Sequence, residues 1–213
     1  IEVLAPGVER AFFSPGDRRG ARHALGLGSG PMLLFVGRIQ PLKGLDVAVR
    51  TLAELGRNDA QLIVVGGASG VEGAIELARV EALIQELGLV GRVKFYEPQP
   101  HHLLSTFYRA ADVVLVPSRS ESFGLVALEA AACGIPVVAT AVGGLMNLIE
   151  DGKTGFLVPG RDVEGFARFT RRLLDDSLLA ISMGTAAAHR AQSYSWKSAA
   201  LKARSVYTEL LER

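Results

Sequence analysis

Six short, mostly apolar runs alternate with longer stretches of helical periodicity, and no other feature of the chain restricts its fold as much. The runs span residues 32–36, 61–65, 92–96, 113–116, 136–140 and 155–158. Several are apolar at consecutive positions, as in Met32-Leu33-Leu34-Phe35-Val36 and Val113-Val114-Leu115-Val116. Strands covered on both faces have this pattern, whereas half-exposed strands alternate. Helices are expected between them at 44–55, 71–87, 100–111, 123–132, 145–150 and 162–174. Strand and helix repeated in this order imply right-handed crossovers and an α/β fold with a doubly wound parallel sheet. After residue 176 the pattern is helical only, at 178–193 and 196–211. With no strand to follow, those helices are expected to cross the sheet edge or reach towards another domain. The Gly- and Pro-rich residues 1–30, with a short helix at 18–25, read as a lead-in or linker. The expected division is therefore 1–30, a core domain at 31–176, and carboxyl-terminal helices at 177–213.

The chain has 213 residues, 49% of them hydrophobic, enough to build a core without disulfide or metal staples. Lys and Arg total 23 against 22 for Asp and Glu, a net charge of +1 that gives no reason to invoke nucleic acid or an anionic membrane surface. Cys133 is the only cysteine, so an intrachain disulfide is excluded, consistent with an expected cytoplasmic location. The most apolar stretch, 130–146, is interrupted by Gly134, Pro136, Gly143 and Gly144, and no run approaches the roughly 20 residues that span a bilayer. No transmembrane segment is expected. A start at Ile1, without a charged-then-apolar leader, suggests a piece of a longer protein.

Ligands of an open parallel sheet lie beyond the carboxyl ends of its strands, so the loops there carry the chemistry. Gly37-Arg38-Ile39-Gln40-Pro41-Leu42-Lys43-Gly44 follows the first core strand. Gly37 permits a sharp turn, and Pro41 stiffens the loop. Arg38 and Lys43 then stand beside a helix amino terminus, where two cations and unpaired N–H groups suit a diphosphate. The plainer alternative is a pair of solvated surface cations. A Walker loop is excluded because Lys43 lacks the glycine spacing and the following Ser or Thr.

Pro117-Ser118-Arg119-Ser120-Glu121-Ser122-Phe123-Gly124-Leu125-Val126-Ala127-Leu128-Glu129 follows the fourth run. Glu121 precedes the expected helix. Glu129 lies inside it among small and apolar residues, where a carboxylate needs donors. The two hydroxyls of a ribose would supply them, and the N–H groups of Ser122, Phe123, Gly124, Leu125 and Val126 would face a phosphate or a sugar. Alternatively, Glu121 is a helix-start acid favoured by the dipole and Glu129 an ion-pair partner. Convergence with the cationic loop favours the ligand reading.

Gly-Arg-x4-Lys-Gly together with Glu-Ser-Phe-Gly-x4-Glu is similar to the motifs of the retaining glycosyltransferase family 4. The resemblance extends over about residues 3–211 and matches that family's carboxyl-terminal domain. It implies a Rossmann-like half of a GT-B fold, with a missing amino-terminal domain holding the acceptor. The wording of 37–43 and 109–144 is similar to the mycothiol-pathway branch, which transfers N-acetylglucosamine from UDP to inositol 3-phosphate. Carried over by position, the resemblance gives Arg38 and Lys43 to the donor diphosphate and leaving group, and Glu129 to the ribose. It gives Glu121 to the donor sugar near the reacting carbon, so Glu121, Arg38 and Lys43 form the expected catalytic set. Gly37, Glu97, Gln99 and residues 122–126 complete the donor site, with the base near 96–99. The donor is a nucleoside diphosphate sugar, with UDP the expected nucleotide and N-acetylglucosamine or glucose the expected sugar. No cofactor and no metal is expected, since the cations stabilise the leaving group.

Three positions depart from the pattern. Leu145-Met146-Asn147 stands where the wider family has a residue followed by Pro-Glu, Ile135 where the mycothiol branch often has Thr, and Gln99 where some members have Arg. Gly66-Gly67-Ala68-Ser69-Gly70 lacks the G-x-G-x-x-G spacing and reads as a flexible loop at the cleft, not a dinucleotide site. His23, His101, His102 and His189 lack metal-ligand spacing. Cys133 reads as a core residue and Trp196 as an anchor for the last helix. The competing functions are a non-hydrolysing sugar-nucleotide epimerase, which needs acid/base groups not found here, and a non-catalytic nucleotide-sugar-binding module.

Overall fold

A computed structural model describes residues 4–211, so Ile1–Val3 of the lead-in and the last two residues of the 177–213 segment lie outside it. The order is α1 (Arg18–Ala24), β1 (Met32–Val36), a 3-10 turn (Pro41–Lys43), α2 (Leu45–Glu54), β2 (Gln61–Val65), α3 (Gly70–Glu86), β3 (Val93–Tyr96) and α4 (His101–Ala110). Then come β4 (Val113–Val116), α5 (Leu125–Ala132), β5 (Val137–Thr140), α6 (Leu145–Leu148), β6 (Phe156–Val158), α7 (Val163–Asp175), α8 (Ser177–Ala191) and α9 (Trp196–Leu211). All six strands pair in parallel in the order β3-β2-β1-β4-β5-β6, the doubly wound sheet expected from the alternation.

Consecutive apolar residues are required because the core has two sides. Leu33, Phe35, Leu62, Val64, Leu115 and Val138 pack on one face with residues of α2, α3 and α7. Leu34, Ile63, Val65, Val114, Val116 and Val137 pack on the other with residues of α1, α4 and α5. Neighbours along a strand point to opposite faces, so only an unbroken apolar run fills both cores. Truncating such a residue to Ala costs about 2–5 kcal/mol.

β1 and β4 are adjacent at the centre of the sheet, with Leu33 opposite Val113 and Leu34 opposite Val114. β1 is followed by α2 on one face, and β4 by α5 on the other. The loops leaving their carboxyl ends therefore diverge and open a crevice.

Two expectations need correction. The helix placed at 123–132 begins at Leu125, because Gly124 has φ +102° and caps it from the left-handed region. Phe123 thus belongs to the loop. Trp196 does not anchor α9 by burial. It is 56% exposed, and α9 has no buried residue among those described. The contact is through the backbone instead: the Trp196 N–H region lies where any side chain on Gly7 would sit, and Val8 N–H donates to Tyr194 C=O at 3.0 Å. α8, by contrast, packs tightly, and a Cβ on Gly184 would meet Gly134 O at 2.1 Å. No helix among the described residues is long and apolar enough to cross a membrane.

The 66–70 loop, expected to be flexible, is tied to the loop after β1. Gly37 N–H donates to Val65 C=O at 3.0 Å, and Ile39 N–H to Gly67 C=O at 2.9 Å. Gly66 has φ +150°, and a Cβ there would stand 1.9 Å from Gly37 O. Gly91 has φ +78° with open space around its Cβ position, so it reports the backbone strain alone. Gly66→Ala is therefore expected to destabilise the fold by more than about 2 kcal/mol, and Gly91→Ala by about 1 kcal/mol. Chemical denaturation of the two variants checks the difference.

Candidate functional site

The two motif loops meet over the carboxyl ends of β1 and β4. Gly44 has φ +72°, ends the Pro41–Lys43 turn and caps α2. A Cβ on Gly44 would lie 2.2 Å from Pro117 O, so glycine alone lets the loops touch. Arg119 N–H donates to Leu42 C=O at 2.8 Å, a second tie between them.

That closeness sets Lys43 beside Glu121. Lys43 Nζ lies 2.8 Å from Glu121 Oε2, with the two side chains 23% and 17% exposed. The part-buried pair holds two opposite charges at one point of the rim. Arg38, on the same loop, is exposed and has no ion pair among the described residues.

Glu121 is positioned by its backbone. Gly144 N–H donates to Glu121 C=O at 2.9 Å. Any side chain on Gly143 or Gly144 would strike the 121–123 backbone, at 2.0 Å from Glu121 O and 2.4 Å from Phe123 Cα. Past Gly124, the first helical bond of α5 runs from Leu128 N–H to Gly124 C=O at 3.0 Å. The N–H groups of Leu125, Val126 and Ala127 precede that ladder, and those of the exposed Leu125 and half-buried Val126 lie at the positive end of the helix, where an anion is favoured.

Glu129 lies about one turn into α5. Tyr108, fully buried on α4, donates its hydroxyl to Glu129 Oε2 at 2.8 Å. Burial pushes the Glu129 carboxyl above its ordinary range, against the lowering effect of Tyr108 and of His101. Burial, and next the adjacent Glu129 charge, push the Tyr108 hydroxyl well up. Tyr108 was not expected from the sequence, since 21 residues separate it from Glu129 and only the α4–α5 packing joins them. Burial likewise pushes the Cys133 thiol, one turn on, up to about 12, which fits an inert core residue.

Glu97 and Gln99 sit at the carboxyl end of β3, two strands from β1 and hence about 10 Å away. Gln99 Nε2 donates to Glu97 C=O at 2.8 Å, and Pro98 lies against Gly67. The structure thus brings Lys43 and Glu121 into contact, has Arg38 on the same loop as Lys43 and residues 122–126 directly after Glu121, sets Glu129 one turn into α5, and leaves Glu97 and Gln99 at the end of β3. A charged network lies at the start of α2, its acids buried and its arginines reaching the surface. Asp46 pairs with Arg161 and, at 3.3 Å, with Arg79, which also holds the buried Glu76 at 2.7 Å.

A depression of about 720 Å³ at the opposite, amino-terminal edge is lined by Arg18, Arg22, Arg57, Asp59 and Asp112. It holds none of the candidate side chains, and its charges are paired with each other, Arg22 with Asp112 at 2.6 Å and Arg57 with Asp59 at 3.4 Å. The candidate side chains lie on the other rim.

Residues 18–190 match the family described as "Glycosyl transferases group 1". The chain is 47% identical over 99% of its length to the D-inositol 3-phosphate glycosyltransferase of Acidothermus cellulolyticus, of which it covers 48%. It spans about half the length of the curated relatives it matches. Among solved structures, sucrose-phosphate synthase from Thermosynechococcus elongatus superposes with a TM-score of 0.91 at 37% identity, over 99% of this chain and 53% of that one. Anabaena Alr3699/HepE, solved in complex with UDP and glucose, gives a TM-score of 0.91 at 26% identity, over 97% of this chain and 56% of that one.

A folded-state carboxyl raised above its unfolded value disfavours folding once ionised, so its stabilising effect is present in acid and lost as pH rises. Glu129→Gln removes that titration. The variant is expected to melt a few degrees above the parent near pH 7, with the gain shrinking towards pH 4. Thermal melts across that range check the sign.

Proposed function

The chain belongs to the group 1 glycosyl transferases, and from that premise we propose that it is the donor-binding half of a retaining glycosyltransferase. The donor is a UDP-sugar, and the acceptor is held by a second domain that closes over the rim. The Lys43–Glu121 contact carries this reading. A cation suited to a diphosphate and an acid suited to a sugar hydroxyl stand side by side on the rim, so a diphosphate and the sugar joined to it can engage one each once the pair parts.

In this reading the diphosphate takes Lys43 from Glu121. It is held by Lys43, Arg38 and the N–H groups of Leu125 and Val126, where two charge-assisted contacts and the helix dipole act together. Glu121, released from Lys43, accepts from donor-sugar hydroxyls beside the anomeric carbon. Glu129 accepts from the ribose hydroxyls, and the base lies towards Glu97 and Gln99. As the bond from the anomeric carbon to the phosphate oxygen breaks, charge grows on that oxygen, and Arg38 and Lys43 stabilise it more than they do the intact donor. An acceptor hydroxyl then bonds to the anomeric carbon on the face the diphosphate leaves, and the diphosphate oxygen takes up the released proton. Closure by the second domain excludes water and orients that attack, so the isolated chain binds donor without turnover. N-acetylglucosamine transfer to an inositol phosphate is the specific reaction favoured by the similarity to inositol phosphate glycosyltransferases.

Calorimetry with UDP tests this. Lys43→Ala is expected to weaken UDP binding by roughly ten- to hundredfold, the worth of a hydrogen bond to a charged group, while leaving the melting temperature within about two degrees. Unchanged affinity in the folded variant would contradict the diphosphate role. No UDP binding by the parent chain at millimolar concentration would sink the donor reading itself.

A further inference from the structure

Tyr108 is the largest fully buried side chain among the described residues, and its hydroxyl is turned onto an acid of the ligand-facing rim. Its ring is wedged edge-on against Phe13 at 5.8 Å between centroids, so the hydroxyl has little freedom to move. Its partner differs from it. Glu129 is only half-buried. One oxygen takes the Tyr108 bond, while Oε1 is bonded to no protein group among the described residues and is not sealed from solvent. A purely structural tether would not need a carboxylate. A phenylalanine would fill the same space, and burying the acid opposes its ionisation. The groups facing Glu129 are Tyr108 and His101 on α4 and Cys133 on its own helix, and no cation pairs with it among the described residues.

We propose that Tyr108 is a positioning residue for Glu129. By holding Oε2, its buried hydroxyl turns Oε1 to the ribose of the bound nucleotide and makes the site select ribonucleotides over 2′-deoxyribonucleotides. The inference rests on the donor reading above. A carboxylate anchored at one oxygen has one direction left in which to accept, and two vicinal hydroxyls fit it where one does not. A site built to accept from a hydroxyl discriminates against the analogue lacking it, because its own polar group is then left unpaired. The Tyr108 bond also favours the ionised form of Glu129 against the effect of burial, and the ionised acid is the stronger acceptor for the two hydroxyls.

The test compares UDP with 2′-deoxy-UDP by calorimetry between about pH 5 and pH 8, in the parent chain and in Tyr108→Phe. The parent is expected to favour UDP by roughly tenfold, and the variant by about twofold or less, with unchanged affinity for inorganic pyrophosphate. UDP binding fades as pH falls and Glu129 takes a proton. In Tyr108→Phe that fading should begin at higher pH, because the carboxylate has lost a donor. Uniform replacement of the four tyrosines by 3-fluorotyrosine keeps the shape and strengthens the donor, so there the fading should move to lower pH. The proposal is overturned if Tyr108→Phe melts lower but keeps the parent's nucleotide preference and pH profile. If that variant does not fold, an unshifted profile in the fluorotyrosine protein overturns it instead. A parent chain that binds no UDP removes the donor reading, and this inference with it.

Discussion

Two buried strands, β1 and β4, lie side by side at the middle of the sheet and send their crossovers to opposite faces. That arrangement is the constraint on which the rest of the candidate site depends. The loops leaving the two strands must part to reach α2 and α5, and the crevice between them is where backbone N–H groups and charged side chains can face a ligand without water being expelled from the core. The loops are nevertheless pulled together at one point, where Gly44 lies against the carbonyl of Pro117 and Arg119 bonds to Leu42. Because the contact is between backbones, it keeps the two loops close enough for the Lys43 and Glu121 side chains to meet.

The same rim gathers charged side chains. Lys43 and Glu121 pair there part-buried, and Glu129 is an acid that burial pushes towards its neutral form. Other charges pair away from the rim, in the Asp46–Arg161–Arg79–Glu76 network behind α2 and in the Arg18–Arg22–Asp112 cluster at the amino edge.

Apolar side chains are exposed near the rim as well. Leu42, Val71, Leu125 and Met146 are all exposed near the starts of the helices that follow the strands. α9 shows the same character, with Trp196, Tyr207 and Leu210 exposed. A chain spanning about half of its relatives' length leaves room for a further domain to cover such surfaces. Hydrophobic exposure of this kind beside a polar crevice fits the two-domain reading proposed above.

Much of this was legible in the residue order. Runs such as Met32–Val36 that are apolar at every position cannot sit half-exposed, so they specify a sheet covered on both faces and, with helices between, parallel strands. The spacing from Gly37 to Lys43 and from Glu121 to Glu129 marked both loops, because local chemistry at a strand end depends on near neighbours in sequence. Tertiary structure decided what depends on residues far apart. It brought Lys43 onto Glu121 across 78 residues and Tyr108 under Glu129, pressed Gly143 and Gly144 against the 121–123 backbone, and left Trp196 exposed. Periodicity records which side of an element is apolar, but which helix supplies a partner follows only from how the elements pack.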